Sequence, residues 1–362
     1  MQLRAHCGGF SDFQVFRARK AGSTSEARWV SAPLRSAHNR RPPDALRPCG
    51  GAEKLRKSKT GAIGRSDAYA VPPTHKEVMK HIFVISAYGE SPYLEDCLRS
   101  LLAQSDRSDI FVCTSTPSPY LHAITEKYDL PYYIRNGVSS LKDDWNFCVE
   151  TASAHGATHV TIAHQDDVYD PDFARRVKET FSKGSQTHKK NGRYVTLFDD
   201  SGDTAVVCTR ARNINALDEE INGGAEKVKR LLRWPLSVER LNGTRFGKRL
   251  ALSLGNSVPC PTCTYNLNLC GSRIFKDDYR FVIDWAALEE LSEKPGRFVC
   301  IEEPLVSIRI HDGAETARTM REGIREGEEA EMFRRFHGRP TSKLLGFFYK
   351  NAGGVYKKDK EE

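Results

Sequence analysis

From His81 onward the chain alternates short apolar runs with stretches that carry apolar residues at helical spacing. The first of these stretches has apolar residues at 94, 97, 98, 101 and 102, which is the core-facing stripe of an amphipathic helix. Strands that alternate with helices need crossover connections, and these produce a mainly parallel sheet with helices on both faces. The sequence therefore predicts an α/β domain. The predicted strands are His81–Ser86, Ile110–Thr114, Leu130–Ile134, His159–Ala163 and Tyr194–Phe198, and the intervening helices include Tyr120–Tyr128 and Ser140–Ala154.

The regular alternation ends after the fifth predicted strand. Residues 200–256 are polar and helix-prone, and we expect a less regular region there. Further along, the patterns predict a helix at Ile283–Ser292, strands at Phe298–Ile301 and Leu305–Ile310, and terminal helices near 317–336 and 341–350. We expect one α/β domain over residues 79–315 and a helical tail over residues 316–362.

The formal net charge of +8 is unevenly distributed. Residues 1–78 hold 15 Lys and Arg against 6 Asp and Glu, whereas the remaining 284 residues hold 40 against 41. The basic leader lacks patterned apolar surface, so we expect residues 1–78 to be disordered, with Met79 a plausible start of the protein. Because the predicted domain itself is neutral, the charge gives no reason to expect nucleic-acid binding. The leader lacks the apolar segment of a signal peptide, and no run is long enough for a transmembrane helix.

The ten cysteines include a single CxxC pair, Cys260 and Cys263, with Cys270 following. A structural zinc site usually needs four ligands at paired spacings, and the sequence contains no second pair. We expect these cysteines to be small buried apolar residues and to remain reduced in the cytoplasm.

The predicted strand His159–Ala163 ends at His164-Gln165-Asp166-Asp167. Carboxylates at the carboxyl end of a parallel strand lie at the edge where open α/β folds bind ligands. Oxygen ligands there suit a divalent cation that also holds a diphosphate. On spacing alone an alternative stays open, in which the segment is only a strand-to-helix loop with Asp170 capping the helix after Pro171.

The glycine-rich sequences that usually bind nucleotides are absent. No GxGxxG follows the first predicted strand, and neither GxxxxGK[ST] nor GxSxG occurs anywhere in the chain. A nucleotide would therefore have to be bound by strand-edge loops and a metal ion.

Several segments, in this order, resemble the motifs of family 2 glycosyltransferases. They are Ile85-Ser86-Ala87-Tyr88 with the helix 93–104, Asp144-Trp145-Asn146-Phe147, His164-Gln165-Asp166-Asp167, Asp284-Trp285 and Ile308-Arg309-Ile310-His311. The resemblance covers roughly residues 81–315. It implies a GT-A fold, a nucleoside-diphosphate-sugar donor, a Mg²⁺ or Mn²⁺ ion and an inverting transfer.

The chain departs from the family pattern at three places. His164 stands where the first Asp of the family's DxD motif commonly contacts the donor ribose, and Ile283 replaces the Glu of the late "ED" motif. The segment Cys113–Ser118 lacks the carboxylate that follows the second strand in the family. Either Asp143 or Asp144 takes over that role, or the donor base is not uracil.

The resemblance also suggests individual roles. Asp284 would be the general base, although a helix N-cap is the alternative because a helix begins there. Asp166, Asp167 and His311 would hold the metal ion, although a strand-end histidine is often only a surface residue. Arg309 would bind phosphate in a bidentate manner, or pair with Glu302 or Glu303. The predicted donor-binding residues are Ser86, Tyr88, Glu90, Asp144, Asn146, His164, Gln165 and Asp166.

The function implied is transfer of a sugar to a glycan or lipid-linked acceptor in cell-surface polysaccharide synthesis. A catalytically degenerate sugar-nucleotide-binding protein is the alternative. We expect a cytoplasmic protein without nucleic-acid partners. The apolar and basic tail around 344–350 either packs on its own domain or contacts the inner face of the membrane.

Overall fold

The computed structural model describes residues 15–16, 79–184, 189–190, 193–194, 203–221, 224–315, 318–319 and 322–338. The chain divides into two compact units, and the smaller one, Ala32–Val78, lies wholly outside these residues. The rest of the leader apart from residues 15–16, which form a short strand paired with Tyr132–Tyr133, also lies outside them, so its expected disorder stays a prediction. Most of the predicted strand Tyr194–Phe198 and the predicted helix near 341–350 lie outside them as well.

In chain order the strands are β1 (Val15–Phe16), β2 (His81–Ala87), β3 (Asp109–Thr114), β4 (Tyr132–Ile134), β5 (His159–His164), β6 (Val168–Tyr169), β7 (Lys189–Lys190), β8 (Arg193–Tyr194), β9 (Thr204–Ile214), β10 (Cys263–Asn266) and β11 (Arg297–Arg309). The helices are α1 (Leu94–Leu102), α2 (Pro119–Lys127), α3 (Leu141–Ala154), α4 (Phe173–Gly184), α5 (Gly224–Ser237), α6 (Glu239–Asn242), α7 (Arg245–Ser253), α8 (Leu267–Cys270), α9 (Ile283–Ser292) and α10 (Ile324–His337).

The first half of the domain confirms the predicted alternation. Strands β4, β3, β2 and β5 are neighbours in that order and all run parallel. Helices α1, α2 and α4 pack with one hydrophobic cluster of the sheet, and α3, α7 and α9 pack with the other. Ser118 and Ser140 cap α2 and α3 by accepting a hydrogen bond from a backbone N–H of the first turn. The parallel core with helices on both faces is therefore as expected.

The second half contains a long strand where we expected polar, helix-prone sequence. Strand β9 is the seventh strand of the nine-stranded sheet, antiparallel to β10 and parallel to β11. Its first six residues, 204–209, are all buried, and its later part is mixed in burial. The prediction was wrong for residues 204–214, because overall polarity does not reveal that the sheet buries this strand, whereas residues 224–253 are largely helical as expected. The sheet is thus parallel in its core and mixed beyond β5.

Strand β11 joins the two strands that we predicted at Phe298–Ile301 and Leu305–Ile310. Its register against β9 shifts between Ile301 and Pro304 and again before Val306, which is the irregularity of a β-bulge. Glu302 and Glu303 lie in this bulge, and both are exposed. The bulge lets one long strand continue past Pro304, which cannot donate a ladder hydrogen bond.

Helices α9 and α10 pack against each other beside the sheet. Trp285 of α9 is fully buried, contacts Phe333 and Phe336 of α10, and donates its indole N–H to the Leu252 carbonyl over 2.9 Å. Helix α10 begins at Ile324, after Gly323 in the left-handed conformation. The described residues 315, 318 and 319 are also helical, so the helix predicted near 317–336 is interrupted by the turn at Gly323. Within the described part of the chain, no helix is both long and apolar enough to cross a membrane.

The eight cysteines of the described residues are all buried and unpaired. Cys260 and Cys263 lie in a short 3₁₀ turn and at the start of β10. The prediction that they are small buried apolar residues is confirmed.

Candidate active site

Three strand-end loops are held side by side at the carboxyl edge of the parallel strands. The Gln165 amide, just after β5, accepts from the Tyr88 N–H over 3.0 Å and donates to the Tyr88 carbonyl over 2.9 Å. The next residue, Gly89, has a φ of +60° and donates its N–H to Thr116 Oγ1 over 2.9 Å. The loops after β2, β3 and β5 therefore form one connected surface. In it Tyr88 and Glu90 are exposed, and Ser86 lies opposite His164.

Asp166 and His311 meet at this edge from the loops after β5 and β11. Asp166 Oδ2 lies 3.1 Å from His311 Nε2, and Asp166 Oδ1 accepts from Ser91 Oγ over 2.7 Å. His311 Nε2 makes no hydrogen bond with a described residue, so its approach to Asp166 is close but not aligned for donation. Both side chains are mostly buried and keep some solvent exposure. In the other histidine–aspartate approach at this edge, His164 to Asp167 at 3.9 Å, the carboxylate is only 4% exposed.

The Asp166–His311 pair fits a small divalent cation. Two adjacent ligands of an octahedral ion, each at 2.0–2.1 Å, lie roughly 3 Å apart. Mg²⁺ is usually held by one or two protein groups together with water and phosphate oxygens. The structure shows no cluster of three or more His, Cys, Asp or Glu among the described residues that could hold a metal alone. An ion at this pair would therefore depend on the donor's diphosphate.

Asp167 does not join this pair, contrary to its predicted role as a metal ligand. Its side chain is buried, and Oδ1 accepts the Arg309 backbone N–H over 3.0 Å. Oδ2 is buried without a hydrogen-bond partner among the described residues. Burial raises the pKa of Asp167 to about 8, so the carboxyl is mainly neutral at pH 7. A neutral carboxyl that faces β11 is a poor cation ligand. Of the two aspartates, only Asp166 remains a candidate ligand for the metal ion.

His164 lies behind Asp166, stacked on Trp145 of α3 with ring centroids 5.2 Å apart. Burial lowers the pKa of His164 to about 4, so the imidazole is neutral. Its Nε2 is buried and finds no hydrogen-bond partner in the described part of the chain. The position where the family has a carboxylate thus carries a neutral ring with one unused nitrogen.

Arg309 is not available to phosphate, which corrects its predicted role. Its side chain is 1 % exposed. The guanidinium donates to the carbonyls of Asp166 and Asn215 over 3.0 and 3.1 Å and pairs with Asp218 at 2.6 Å. The predicted alternative partners, Glu302 and Glu303, are not its partners either. Arg309 instead holds the loop that presents Asp166.

Tyr93 completes this packing and was not identified from the sequence. The guanidinium of Arg309 lies 4.3 Å from the Tyr93 ring centroid, and the His311 ring lies 4.9 Å from it on centroids. Ser91, which hydrogen-bonds Asp166, was not identified as a site residue from the sequence either. Tyr93 stood in the helix motif 93–104, but no sequence signal connected it with Arg309 and His311, more than 200 positions away.

Asp144 is brought to the end of β3, whereas Asn146 is turned inward. Asp144 pairs with Arg135 Nε over 2.7 Å and accepts from Ser115 Oγ over 3.0 Å. Of the two candidates to replace the missing carboxylate after β3, Asp144 therefore lies at that loop. The Asn146 amide donates to the Phe275 carbonyl and accepts the Phe275 N–H, at 2.6 and 3.0 Å. Because Asn146 is 3 % exposed with both amide groups occupied, it is a packing residue and not a donor contact.

Asp284 is the second residue of α9, and its carboxylate is buried among three donors. Oδ1 accepts from Asn256 Nδ2 over 3.0 Å and from the Trp285 N–H over 2.8 Å. Oδ2 accepts from the Cys260 N–H over 3.1 Å. The residue before the helix is Val282, so Asp284 does not occupy the N-cap position.

The surroundings of Asp284 act on its protonation in both directions. Burial raises the pKa of Asp284, while the three hydrogen bonds and the charge of Lys229 on α5 lower it. The Cys260 N–H donates to Asp284, and the carbonyl of the next residue, Pro261, accepts from the Tyr169 hydroxyl over 2.9 Å. The turn at residues 260–262 therefore contacts both Asp284 and strand β6, which follows the loop after β5.

Part of the chain matches a known protein family. Residues 82–188 match the model of glycosyl transferase family 2. TarS 1–349 of S. aureus, solved with UDP-GlcNAc, is 12% identical over 76% of this chain and 72% of that chain, with a TM-score of 0.49. The mannosyltransferase PcManGT from Pyrobaculum calidifontis, solved with GDP-Man and Mn²⁺, is 12% identical over 74% and 68%, with a TM-score of 0.44. A search of curated proteins found no match. Residues 82–188, which contain the parallel strands β3 to β5 and all of β2 except His81, therefore match glycosyl transferase family 2.

Proposed function

We propose that the protein is an inverting, metal-dependent transferase that moves a sugar from a nucleoside diphosphate to a hydroxyl of a glycan or lipid-linked acceptor. The observation that carries the proposal is the meeting of Asp166 and His311 at the strand edge, with ligand atoms 3.1 Å apart. The family match supports the donor class. PcManGT, one of the similar structures, was solved with GDP-Man and Mn²⁺.

Asp166 and His311 would hold the cation, which when bound offsets the charge that develops on the leaving diphosphate. The chain's own contribution is to position these ligands. Ser91 holds one oxygen of Asp166, and Arg309 holds its backbone carbonyl, so the other oxygen stays directed at His311. Neutral Asp167 beneath the loop adds no second charge to compete for the ion.

Asp284 would accept the proton of the acceptor hydroxyl while the oxygen attacks the anomeric carbon opposite the leaving group. A base works best when its pKa is not far below the operating pH, and burial raises the pKa of Asp284 in that direction. Its hydrogen bonds to Asn256 and Cys260 fix the carboxylate without neutralising it. Proton transfer of this kind typically contributes about 10²–10⁴-fold to the rate.

Asp144 and the loops after β2 and β3 would bind the nucleoside end of the donor. Asp144 reaches the end of β3 through Ser115, and Gln165 fixes the exposed Tyr88 loop beside it. Ser86, Tyr88 and Glu90 line or lie next to this edge, where open α/β folds bind ligands. His164 would contact the donor through its unused Nε2.

Cell-surface polysaccharide synthesis is the process we propose for this activity. The eight described cysteines are unpaired, in keeping with a reducing compartment such as the cytoplasm. Contact with the inner face of the membrane through the tail remains a prediction, since residues 341–350 lie outside the described part of the chain.

The test is a thermal-shift titration of the full chain with UDP, GDP, ADP and CDP, each with and without Mn²⁺. We expect one nucleotide to raise the melting temperature only when Mn²⁺ is present. Asp166→Ala should abolish this linkage and His311→Ala should weaken it. Asp172→Asn, which changes an exposed carboxylate paired with Arg175, is the matched control and should behave as wild type. An unchanged Mn²⁺ linkage in Asp166→Ala would refute the proposed site.

A further inference from the structure

A cavity whose lining includes neither Asp166 nor His311 lies between helix α5 and the bulge of β11. Its volume is about 340 Å³, and its lining residues are Arg210, Arg230, Trp234, Ser237 and Glu302. Three of these, at 230, 234 and 237, follow one another at i, i+4 and i+7 and so share one side of α5. Glu302 reaches the cavity because the bulge displaces it from the regular ladder with β9.

Trp234 gives this cavity an apolar wall that is open to solvent. The side chain is 54% exposed, whereas Trp145 and Trp285 are at most 5% exposed. Burying so large an apolar surface is favourable, and a half-exposed tryptophan therefore marks a candidate binding surface. The electron-rich face of an indole attracts weakly positive C–H groups, such as those on one face of a sugar ring.

The polar wall consists of groups that can exchange their present partners. Arg230 lies 3.6 Å from Glu302, and Arg210 lies 3.9 Å from Glu226, and both are long contacts. The Arg230–Glu302 pair is exposed, and such pairs contribute about 0–1 kcal/mol, so a ligand can open this one at little cost. Arg210 Nε is buried and makes no hydrogen bond to any described residue. Each guanidinium of the lining has a carboxylate partner, Glu302 for Arg230 and Glu226 behind the lining for Arg210, so neither is left unpaired to select an anion, and the mixture of donors and acceptors suits a ligand rich in hydroxyl groups.

Helix α5 connects this cavity with the proposed general base. The buried guanidinium of Arg233, the residue before Trp234 on this helix, donates to the Ser257 carbonyl over 2.5 Å. The residue before Ser257 is Asn256, whose amide donates to Asp284 over 3.0 Å. The helix that lines the cavity therefore contacts the segment that holds the proposed base.

We propose that the cavity formed by Trp234, Arg230 and Glu302 is a subsite for a neutral oligosaccharide, namely a part of the acceptor glycan remote from the hydroxyl that reacts. This inference rests on the proposed function, because it assumes a glycan acceptor. Trp234 stacks on one sugar ring, and the flanking Arg and Glu side chains bind neighbouring hydroxyls. The subsite lengthens the acceptor contact and selects a polymer over a single sugar.

The test is a titration of the full-length protein with cello-, xylo-, manno- and chitohexaose, followed by tryptophan fluorescence and calorimetry. We expect saturable binding of at least one hexasaccharide, with Trp234 protected from quenching by acrylamide. Trp234→Ala should weaken that binding at least about tenfold, as for an aromatic residue at the centre of a contact, and Trp234→Phe should retain most of it. The matched control is Leu231→Ala, an exposed neighbour on α5 that does not line the cavity. Its binding should equal that of wild type.

Failure of this inference can be distinguished from failure of the proposed function. Asp166→Ala should leave hexasaccharide binding unchanged while it abolishes the Mn²⁺-linked nucleotide binding. Absence of saturable binding to all four hexasaccharides, or equal binding by Trp234→Ala and wild type, would overturn the subsite. So would binding to phosphatidylcholine–phosphatidylserine vesicles that Leu231→Ala and Trp234→Ala weaken equally, because that result assigns the surface to a membrane.

Discussion

Replacement of Asp284 by Asn separates a catalytic carboxylate from a structural one. The Asn oxygen can still accept from Asn256 and from the Trp285 N–H, but its NH₂ group would face the Cys260 N–H. One hydrogen bond is lost and two donors oppose each other, at a cost of about 1–3 kcal/mol. The variant also removes a buried charge, and the raised pKa of Asp284 shows that burial of this charge is unfavourable. We therefore expect the decrease in the free energy of unfolding to lie near the lower end of this range.

The expected kinetic effect is larger than the effect on stability. Loss of a general base should lower kcat at least 10²-fold, equivalent to about 2.7 kcal/mol in the barrier. Turnover would be measured as release of nucleoside diphosphate from the donor, well below the melting temperature of the variant. Donor affinity should change little, because Asp284 is not among the residues proposed to bind the nucleotide.

Asn256→Ala is the matched control, since it removes one hydrogen bond to Asp284 and keeps the carboxylate. Its stability should fall by a similar amount, while kcat at the optimal pH should stay close to wild type. The Asn256 hydrogen bond lowers the pKa of Asp284, so its removal should shift the acidic limb of the rate profile to higher pH. A near-wild-type kcat in Asp284→Asn, or equal kcat losses in the two variants, would refute the assignment of Asp284 as base.

Two further substitutions test the support of the Asp166 loop. Arg309→Lys should destabilise the protein by about 2–4 kcal/mol in urea unfolding, because a lysine cannot make the three contacts of the buried guanidinium; unchanged stability would show that these contacts are not needed. Asp167→Asn should change how stability depends on pH. The pKa of Asp167 in the folded state is raised to about 8. The stability that protonated Asp167 contributes is therefore fully present below the ordinary pKa of 3.8 and is lost as pH rises through about 8. The melting temperature of wild type should therefore fall relative to Asp167→Asn between pH 6 and 9, and a constant difference would contradict the raised pKa.

The sequence alone determined the parallel half of the fold and the edge of the sheet at which the candidate site was sought. Apolar periodicity is a local property, so strands β2 to β5 and their helices could be predicted from short stretches of chain. Because β5 is parallel to β2, the residues that follow it, among them Asp166, lie at the edge where open α/β folds bind ligands. Strand β9 escaped prediction because only its neighbours β10 and β11 make it a buried strand.

The orientation of individual side chains was decided by contacts between distant residues. Asp166 and Asp167 are adjacent and chemically alike, yet one faces His311 and the other faces β11. Arg309 makes its contacts with Asp166 across 143 residues of sequence, and the amide of Asn146 meets Phe275 across 129. No local pattern carries such information, because these partners come together only when the sheet closes. The sequence thus located the edge and the candidate residues, whereas the tertiary structure determined which of them face the site and which support it from behind.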